Sequence, residues 1–510
     1  MMRKLKFRSV ERFFLSLICL FFVVSVDAQD NGIQKQDALI LKGSLLNKNT
    51  KQPLPYANVV VKRTNKGTIT NEEGYFSLPI SVEEEKDSLS FHYVGYKEFS
   101  IAIADFKLND TIYLLEEIFS LNETFVFAND FKIKDILKQV VNNIEKNYKP
   151  INSKNEVFIR EKFNSDIVNI DIKFKKSSFE ALNKKMTKLV EQKIPKHSTS
   201  YSDILTNIYQ SENKKDSIKL SPIKVVSLKD KNLADANQLE AMFEKMFKNT
   251  KEKEYWKIKS GIIGGKVDLG EDNSTEKLDS LKDFYKNNMH LYYYSMRLNR
   301  KLNNLMLDKK KWAFLYKPSN YNYQLVSGTR INNEDVYIID FTPKNGGKFI
   351  GRMFIAMDTY AVVKADYKYD TDKHGTNVQL FGVGYTENKF ETAIYFEKIE
   401  GNYLLKYYSS SNGSVVSFDR NLSLIKKKKR FLFDKKLNEI KVRLVLKAKE
   451  ESITEILVLD RKKISNTSYK NYKQPQTFKV IHVDQFSDKL WKGHTIIEPT
   501  KQMKEYKKIN

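Results

Sequence analysis

Chemistry needs groups that the fold can bring together, and histidine is the first type to look for. The chain has six, His92, His197, His290, His374, His482 and His494, scattered through 510 residues. No two stand at the spacing that lets one helix face present two imidazoles to a metal. His494 and Glu498 come nearest to a pair, but they sit beside Pro499 in a loop-like stretch, a poor cradle for a catalytic metal. No metal and no cofactor is therefore expected. No G-x-S-x-G stretch supplies a nucleophile elbow, and the paired carboxylates Glu72-Glu73 and Glu83-Glu84-Glu85 read as solvated turns. Gly261, Gly264 and Gly265 in "YWKIKSGIIGGKVDLG" lack the lysine followed by serine or threonine that a phosphate loop requires. The sole cysteine, Cys19, falls in an apolar run expected to be removed, which leaves no thiol for catalysis, disulfides or cysteine zinc sites. These groups give no catalytic residue. A hydrolase of peptide or glycan, its site assembled from residues distant in sequence, stays open as the alternative.

What the sequence does offer is an apolar surface. "AVVKADYKYD" alternates so that Val363, Ala365, Tyr367 and Tyr369 fall on one side of a strand and Lys364, Asp366 and Lys368 on the other. The preceding "KFIGRMFIAMD" adds Met353 and Ile355 across a turn at Asp358-Thr359. Hiding each bulky side chain of such a face is worth about 1.5–3 kcal/mol, so something must cover it. A filled core is the plain outcome. The functional one is an acyl chain or other apolar ligand held against Val363, Ala365, Tyr367, Met353 and Ile355.

These strands belong to a long antiparallel meander expected from Lys311 to Asp460, in which "AIYFEKIEGNYLLKYYS" turns at Gly401-Asn402. "NEIKVRLVLKAKE" and "SITEILVLD" supply further strands, and residues 311–500 with part of 130–310 are expected to form one sheet domain. Ahead of it, Ile133, Ile136, Leu137, Val140, Val141 and Ile144 mark one face of a helix that Asp130 can cap and Pro150 must end. "EVFIREKF" and "DIVNIDIKF" read as two strands. Ser177 to Lys253 reads as a polar helical region, with Met242, Phe243, Met246 and Phe247 at helical spacing as core. From 38 to 118, seven short apolar runs separated by turns read as a small β-sandwich. In its "TNEEG" turn Asn71 can bond its own backbone two residues on, and Gly74 can take positive φ. Phe76, Leu78 and Ile80 then face one way, and Tyr75, Ser77 and Pro79 the other. The expected fold is mainly β with α: a seven-stranded sandwich followed by an α+β domain with a large curved antiparallel sheet.

The first domain resembles the carboxypeptidase-regulatory-like domain of transthyretin-like fold, common at the start of exported Bacteroidetes proteins. The resemblance runs through Gly43, Pro53-Leu54, Ala57-Asn58-Val59, Gly67-Thr68, Thr70, Gly74-Tyr75-Phe76 and Tyr93-Val94-Gly95-Tyr96. It implies a structural or interaction role rather than peptidase activity. Asn71 stands where the family usually has aspartate. "EEIFSLNETFVFAND" resembles the segment that follows this module in TonB-dependent receptors, yet neither a plug nor a barrel pattern comes after it. The order of helix, strands, helices and meander, with "DVYIIDFTPK" before "FIGRMFIAMD", is similar to the periplasmic lipoprotein-carrier (LolA-like) fold.

Arg3, Lys4, Lys6, Arg8 and Arg12, then an apolar run from Phe13 to Val26, read as a secretory signal cleaved after Ala28. At about 14 residues the run falls short of the roughly 20 a bilayer-spanning helix needs. The net charge is +25, from 88 Lys and Arg against 63 Asp and Glu. Lysine dominates over arginine and the chain is exported, so nucleic acid is not the expected partner. A solvated lysine surface or attraction to anionic lipid fits better. The basic run Lys426-Lys427-Lys428-Lys429-Arg430 reads as a charged turn or strand edge, with a lipid-headgroup site as the other reading. Together these readings describe a non-enzymatic protein of the periplasm or outer membrane that meets envelope proteins or lipid.

Overall fold

The computed structural model describes residues 39–64, 66–117, 130–180, 182–229, 253–260, 263–267, 288–303, 305–331, 334–431 and 433–506. The expected leader at 1–28 and the helix expected around Met242 to Phe247 lie outside them. Seven strands build the first module: β1 (Leu39–Asn47), β2 (Asn58–Val61), β3 (Gly67–Ile69), β4 (Tyr75–Ile80), β5 (Ser88–His92), β6 (Phe99–Ala102) and β7 (Asp110–Leu114). They pair in two sheets, ordered β4-β1-β7 and β3-β2-β5-β6. None is long enough to bury an apolar face alone, so the two sheets close on a shared core of Leu45, Val59, Phe76, Leu78, Leu89 and Phe91. Phe76, Leu78 and Ile80 point inward as their alternation requires, and Tyr75 is exposed.

The turn before β4 is built as the residues dictate. Asn71 Oδ1 accepts the backbone N–H of Glu73 at 3.0 Å and of Tyr75 at 2.9 Å, and Gly74 has φ +81°. The other end of the same amide donates to the Pro499 carbonyl at 3.4 Å, and Asn71 is only 1% exposed. Aspartate would keep the turn but set an acceptor against an acceptor. Asn71→Asp is therefore expected to lower unfolding free energy by about 1–3 kcal/mol, the cost of an unsatisfied buried group. An unchanged urea midpoint would show that the contact with Pro499 contributes nothing.

The remaining strands form mostly one sheet. It takes β8 (Ser153–Ser177), β9 (His197–Gln210) and β10 (Lys219–Lys229), and the hairpin β11 (Glu254–Ser260) with β12 (Ile263–Val267) joins at one side. After β13 (Asn288–His290) come β14 (Tyr321–Ile331), β15 (Glu334–Pro343), β16 (Phe349–Ala356), β17 (Val362–Tyr369), β18 (Asn377–Leu380), β19 (Val383–Ile399), β20 (Asn402–Lys428) and β21 (Lys435–Lys463). β22 (Thr477–Lys479) pairs with β13, and β23 (Ile481–Val483) closes the far edge. The 14-stranded sheet runs β14-β15-β16-β17-β19-β20-β21-β8-β9-β10-β23, antiparallel except where β10 meets β23. Two expectations are corrected. Most of the described part of 177–253 is not helical, since β9 and β10 follow one ten-residue helix. The segments read as two strands each, before Ser177 and before Asp460, are the single long strands β8 and β21.

β20, β21 and β8 run on past the main body as a tongue. From Gly413 to Lys428 this is roughly 50 Å of strand at about 3.3 Å per residue. A satellite core of Phe418, Leu444 and Leu446, packed by Ile167, Ile170 and Leu422, holds it together.

The longer helices are α1 (Asp130–Asn147), α2 (Lys184–Lys193) and α3 (Leu291–Leu302), and the short α4 (Ala313–Tyr316) follows α3. α1 buries Ile133, Leu137, Val140 and Ile144, the face expected of it. Its end is tied down by Asn147 Nδ2 donating to the Thr359 carbonyl at 2.9 Å and by the Tyr148 hydroxyl donating to the Val362 carbonyl at 2.9 Å. One face of the sheet carries α1, α3 and α4, and the other carries the first module. Tyr56 of the module stacks on Tyr407 at 4.9 Å, and Lys364 Nζ lies 4.6 Å from the Tyr93 ring. Lys364 is consequently buried, although alternation placed it on the polar side.

A strap of chain around Ile496 to Met503 crosses both parts. Its Ile496 carbonyl accepts from the Thr68 hydroxyl at 3.1 Å, and its Lys501 N–H donates to Glu73 at 3.0 Å. Its own side chains Ile497 and Met503 are fully buried.

Candidate functional site

On the helix-bearing face the sheet is not completely covered. Tyr367 of β17 lies opposite Thr392 of β19, and Ile394 of β19 opposite Tyr408 of β20, so these side chains and Phe390 form a continuous floor. Arg297, Arg300 and Lys301, from the last two turns of α3, line the same space, with Leu305, Asp308, Lys311 and Trp312 from the segment that follows. The cavity measures about 520 Å³, within the usual size of a small-molecule site. A second space of about 130 Å³ lies on the far side of Leu305, which lines both. Ile144, Leu302, Met306, Phe396 and Ile456 make it chiefly apolar.

The sequence explains why cations gather there. α3 is amphipathic: Leu291, Tyr294 and Leu298 are buried, and basic residues stand at its C-terminal end, where the helix dipole favours them. Arg297 is engaged, donating from Nη2 to both oxygens of Glu161 at 2.9 and 2.8 Å. Asp308 is engaged too, its carboxylate capping the backbone N–H of Lys310 at 3.0 Å and of Lys311 at 3.3 Å. Lys301 and Lys311 instead lie over aromatic rings, 5.5 Å from Tyr408 and 5.4 Å from Phe390. Burial, with Lys311 and Arg297 nearby, pushes the Lys301 ammonium down to about 8 against the pull of Glu161. A half-buried cation destabilised in this way favours an anion beside it. The arrangement suits a ligand with an anionic end and an apolar body.

Of the five residues proposed from sequence, Tyr367 lines this cavity. Met353, Ile355, Val363 and Ala365 lie in the filled part of the core. Sequence reasoning did not single out Phe390, Tyr408, Lys301 or Lys311. The inward side of "NKFETAIYFEKI" was a usable signal for Phe390, but nothing joins it to α3 in one sequence. The histidines are not gathered: His92 bonds Ser90 at 2.9 Å, and His197 bonds Asp166 at 2.5 Å. His494 rests against Trp491, while Glu498 pairs with Lys504. Among the described residues no group of three or more His, Cys, Asp or Glu is placed to hold a metal ion.

The opposite face holds a buried polar cluster. Arg160 donates to Asp203 from Nε at 2.8 Å and from Nη2 at 2.7 Å, and from Nη1 to the Ile497 carbonyl at 3.0 Å. Glu455 accepts from the Tyr407 hydroxyl at 3.0 Å; burial pushes its carboxyl up, and Arg160 opposes this. The cluster sits where module, sheet and strap meet. Its groups are satisfied by one another, which is the mark of a clamp.

Residues 41–126 match the family model described as a CarboxypepD_reg-like domain. The first module is thus similar to that domain. No curated protein matches the chain. Among solved structures, the Pseudomonas aeruginosa MucA/MucB complex aligns at 8% identity over 62% of this chain and 94% of that one, with a TM-score of 0.14. A LolA superfamily protein from Nitrosomonas europaea aligns at 9% identity over 67% and 97%, TM-score 0.14. A membrane-associated protein from Bacteroides fragilis aligns at 10% identity over 81% and 97%, TM-score 0.13. Similarity at these TM-scores does not establish a shared fold. Among the described residues no helix is long and apolar enough to cross a membrane.

Proposed function

We propose that this chain is an exported, non-enzymatic binding protein of the cell envelope that holds an anionic amphiphile on the helix-bearing face of its large sheet. The CarboxypepD_reg-like domain serves as a fixed docking module on the opposite face. The observation that carries the reading is the cavity of about 520 Å³ with an aromatic floor and Lys301 and Lys311 at its rim. The anionic end sits among the cations, and the acyl chain runs over Tyr367, Phe390 and Ile394 toward Leu305. The smaller apolar space beyond Leu305 receives the chain's end once that side chain changes rotamer.

Native mass spectrometry of protein taken directly from the envelope is expected to show a co-purifying acidic lipid. With a long-chain fatty acid as probe, Lys301→Glu combined with Lys311→Glu is expected to weaken binding by about tenfold or more, as loss of a charged hydrogen-bond partner does. The pH dependence has a definite sign. The Lys301 ammonium, held down to about 8, loses its proton as pH rises through that value, so affinity is highest below pH 8 and falls above it. Protein that carries no lipid and binds the fatty acid independently of both lysines would overturn the reading.

A further inference from the structure

The tip of the tongue carries a second surface, independent of the cavity. Between β20 and β21, Phe431 is 102% exposed and Phe433 85%. A hairpin end is ordinarily made of glycine, asparagine or aspartate, which serve the turn and suit water. Two phenylalanines held in solvent serve neither purpose. Lys427, Lys428, Lys429 and Arg430 precede them, and Lys435 and Lys436 follow. The nearby acids are already engaged: Glu254 pairs with Lys426 at 2.9 Å, Glu439 with Lys176 at 2.9 Å and with Lys436 at 3.0 Å, and Asp434 accepts from the Tyr255 hydroxyl. The tip therefore presents aromatic side chains within a ring of excess positive charge.

The tip is also held firmly. β20 is paired by β21 on one side and by β11 on the other, up to Glu254 opposite Lys428. Trp256 of β11 is buried and stacks on Phe179 at 5.6 Å. Aromatic groups on a stiff, paired support lose little freedom when they enter another phase.

We propose that this tip is a membrane-contact site that inserts Phe431 and Phe433 into the interfacial layer of an anionic lipid bilayer, with Lys428, Lys429, Arg430 and Lys435 against the headgroups. Adjacent aromatic and basic side chains match the two layers such a surface offers, apolar below and negative above. The tongue sets the contact well away from the module and the cavity, so both stay accessible while the tip is seated.

The test uses the full mature chain and vesicles of phosphatidylcholine, alone or mixed with phosphatidylglycerol, read by co-flotation. Binding is expected to the phosphatidylglycerol vesicles and to weaken with added salt. Phe431→Ser with Phe433→Ser is expected to lower partitioning by at least about tenfold, and Lys428→Glu with Lys429→Glu by about fivefold or more per residue. Phe431→Trp is expected to shift its emission to the blue on vesicle binding. All four sites are exposed, so urea midpoints should be unchanged. Fatty-acid binding in the cavity should be unchanged too, which separates failure of this inference from failure of the cavity reading. Binding that survives loss of both phenylalanines, binding to neither vesicle, or an unshifted tryptophan would each overturn it.

Discussion

Replacing Arg160 by alanine is expected to destabilise the protein by about 3–5 kcal/mol, the cost of removing one partner from a buried ion pair. Asp203 is 1% exposed and receives two hydrogen bonds from the guanidinium. Without them its carboxylate is buried with no cation. The same change takes a donor from the Ile497 carbonyl and the opposing charge from Glu455. Arg160→Lys should recover little, because an ammonium cannot make the forked contact and reach the strap as well. The pH dependence follows from Glu455, whose carboxyl is raised above its ordinary 4.5. A raised carboxyl gives stability that is fully present below the unfolded value and lost as pH rises through the folded one. Losing Arg160 raises it further, so the deficit of the variant should be larger at neutral pH than at acid pH. Guanidinium titrations at both values check this. A deficit under about 1 kcal/mol at neutral pH would mean that the cluster is better hydrated than its burial implies.

Phe314→Ala should cost a similar amount, about 3–5 kcal/mol for a large ring removed from a close-packed core. The ring stacks on Phe341 at 4.0 Å and meets Tyr367 at 4.8 Å and Trp312 at 5.3 Å. α4 has four residues, too few to be stable by helix propensity alone, so it is held in place by its side chains. Trp312 Nε1 donates to the Leu305 carbonyl, which links this anchor to the segment over the cavity. Phe314→Ala is therefore expected to weaken fatty-acid binding as well as stability, and Phe314→Leu to retain much of both. Thermal unfolding and fatty-acid titration of the same samples check the coupling. An affinity unaffected by Phe314→Ala would show that the segment is positioned from elsewhere.

The first module was legible strand by strand because its signals are local. Each run of apolar residues ends in a turn whose residues name themselves, as Asn71 and Gly74 do. The alternation of "AVVKADYKYD" likewise marked β17. β9 and β10 were missed for a physical reason. Asp203 and Thr206 are buried among apolar neighbours in β9, so polar residues do not mark its solvent side. β10 also contains Pro222, which has no N–H to give a ladder, and the strand accommodates it at an irregularity between Pro222 and Lys224. Of the cavity's floor, alternation marked Tyr367 and left Phe390 and Tyr408 unmarked, and its rim comes from α3, which nothing local connects to β19. The burial of Lys364 and the clamp around Arg160 depend on docking between segments far apart, and one sequence does not carry that information.

The strap gives the molecule an order of assembly. Thr68 and Ile496 are 428 positions apart yet share a hydrogen bond, and the same separation divides Glu73 from Lys501. The module's own core needs only residues between Leu41 and Leu114, so it can form while most of the chain is still unmade. Tyr56 and Tyr93 can meet the sheet before the chain ends, but the strap's bonds to the module have to wait until Lys501 has been synthesised. Closing so wide a loop is slow, and until it happens Arg160 lacks its bond to the Ile497 carbonyl. A chain interrupted between Val483 and Ile496 would thus hold a finished first module and a paired sheet without the strap that joins them, a form that proteases can distinguish from the completed protein.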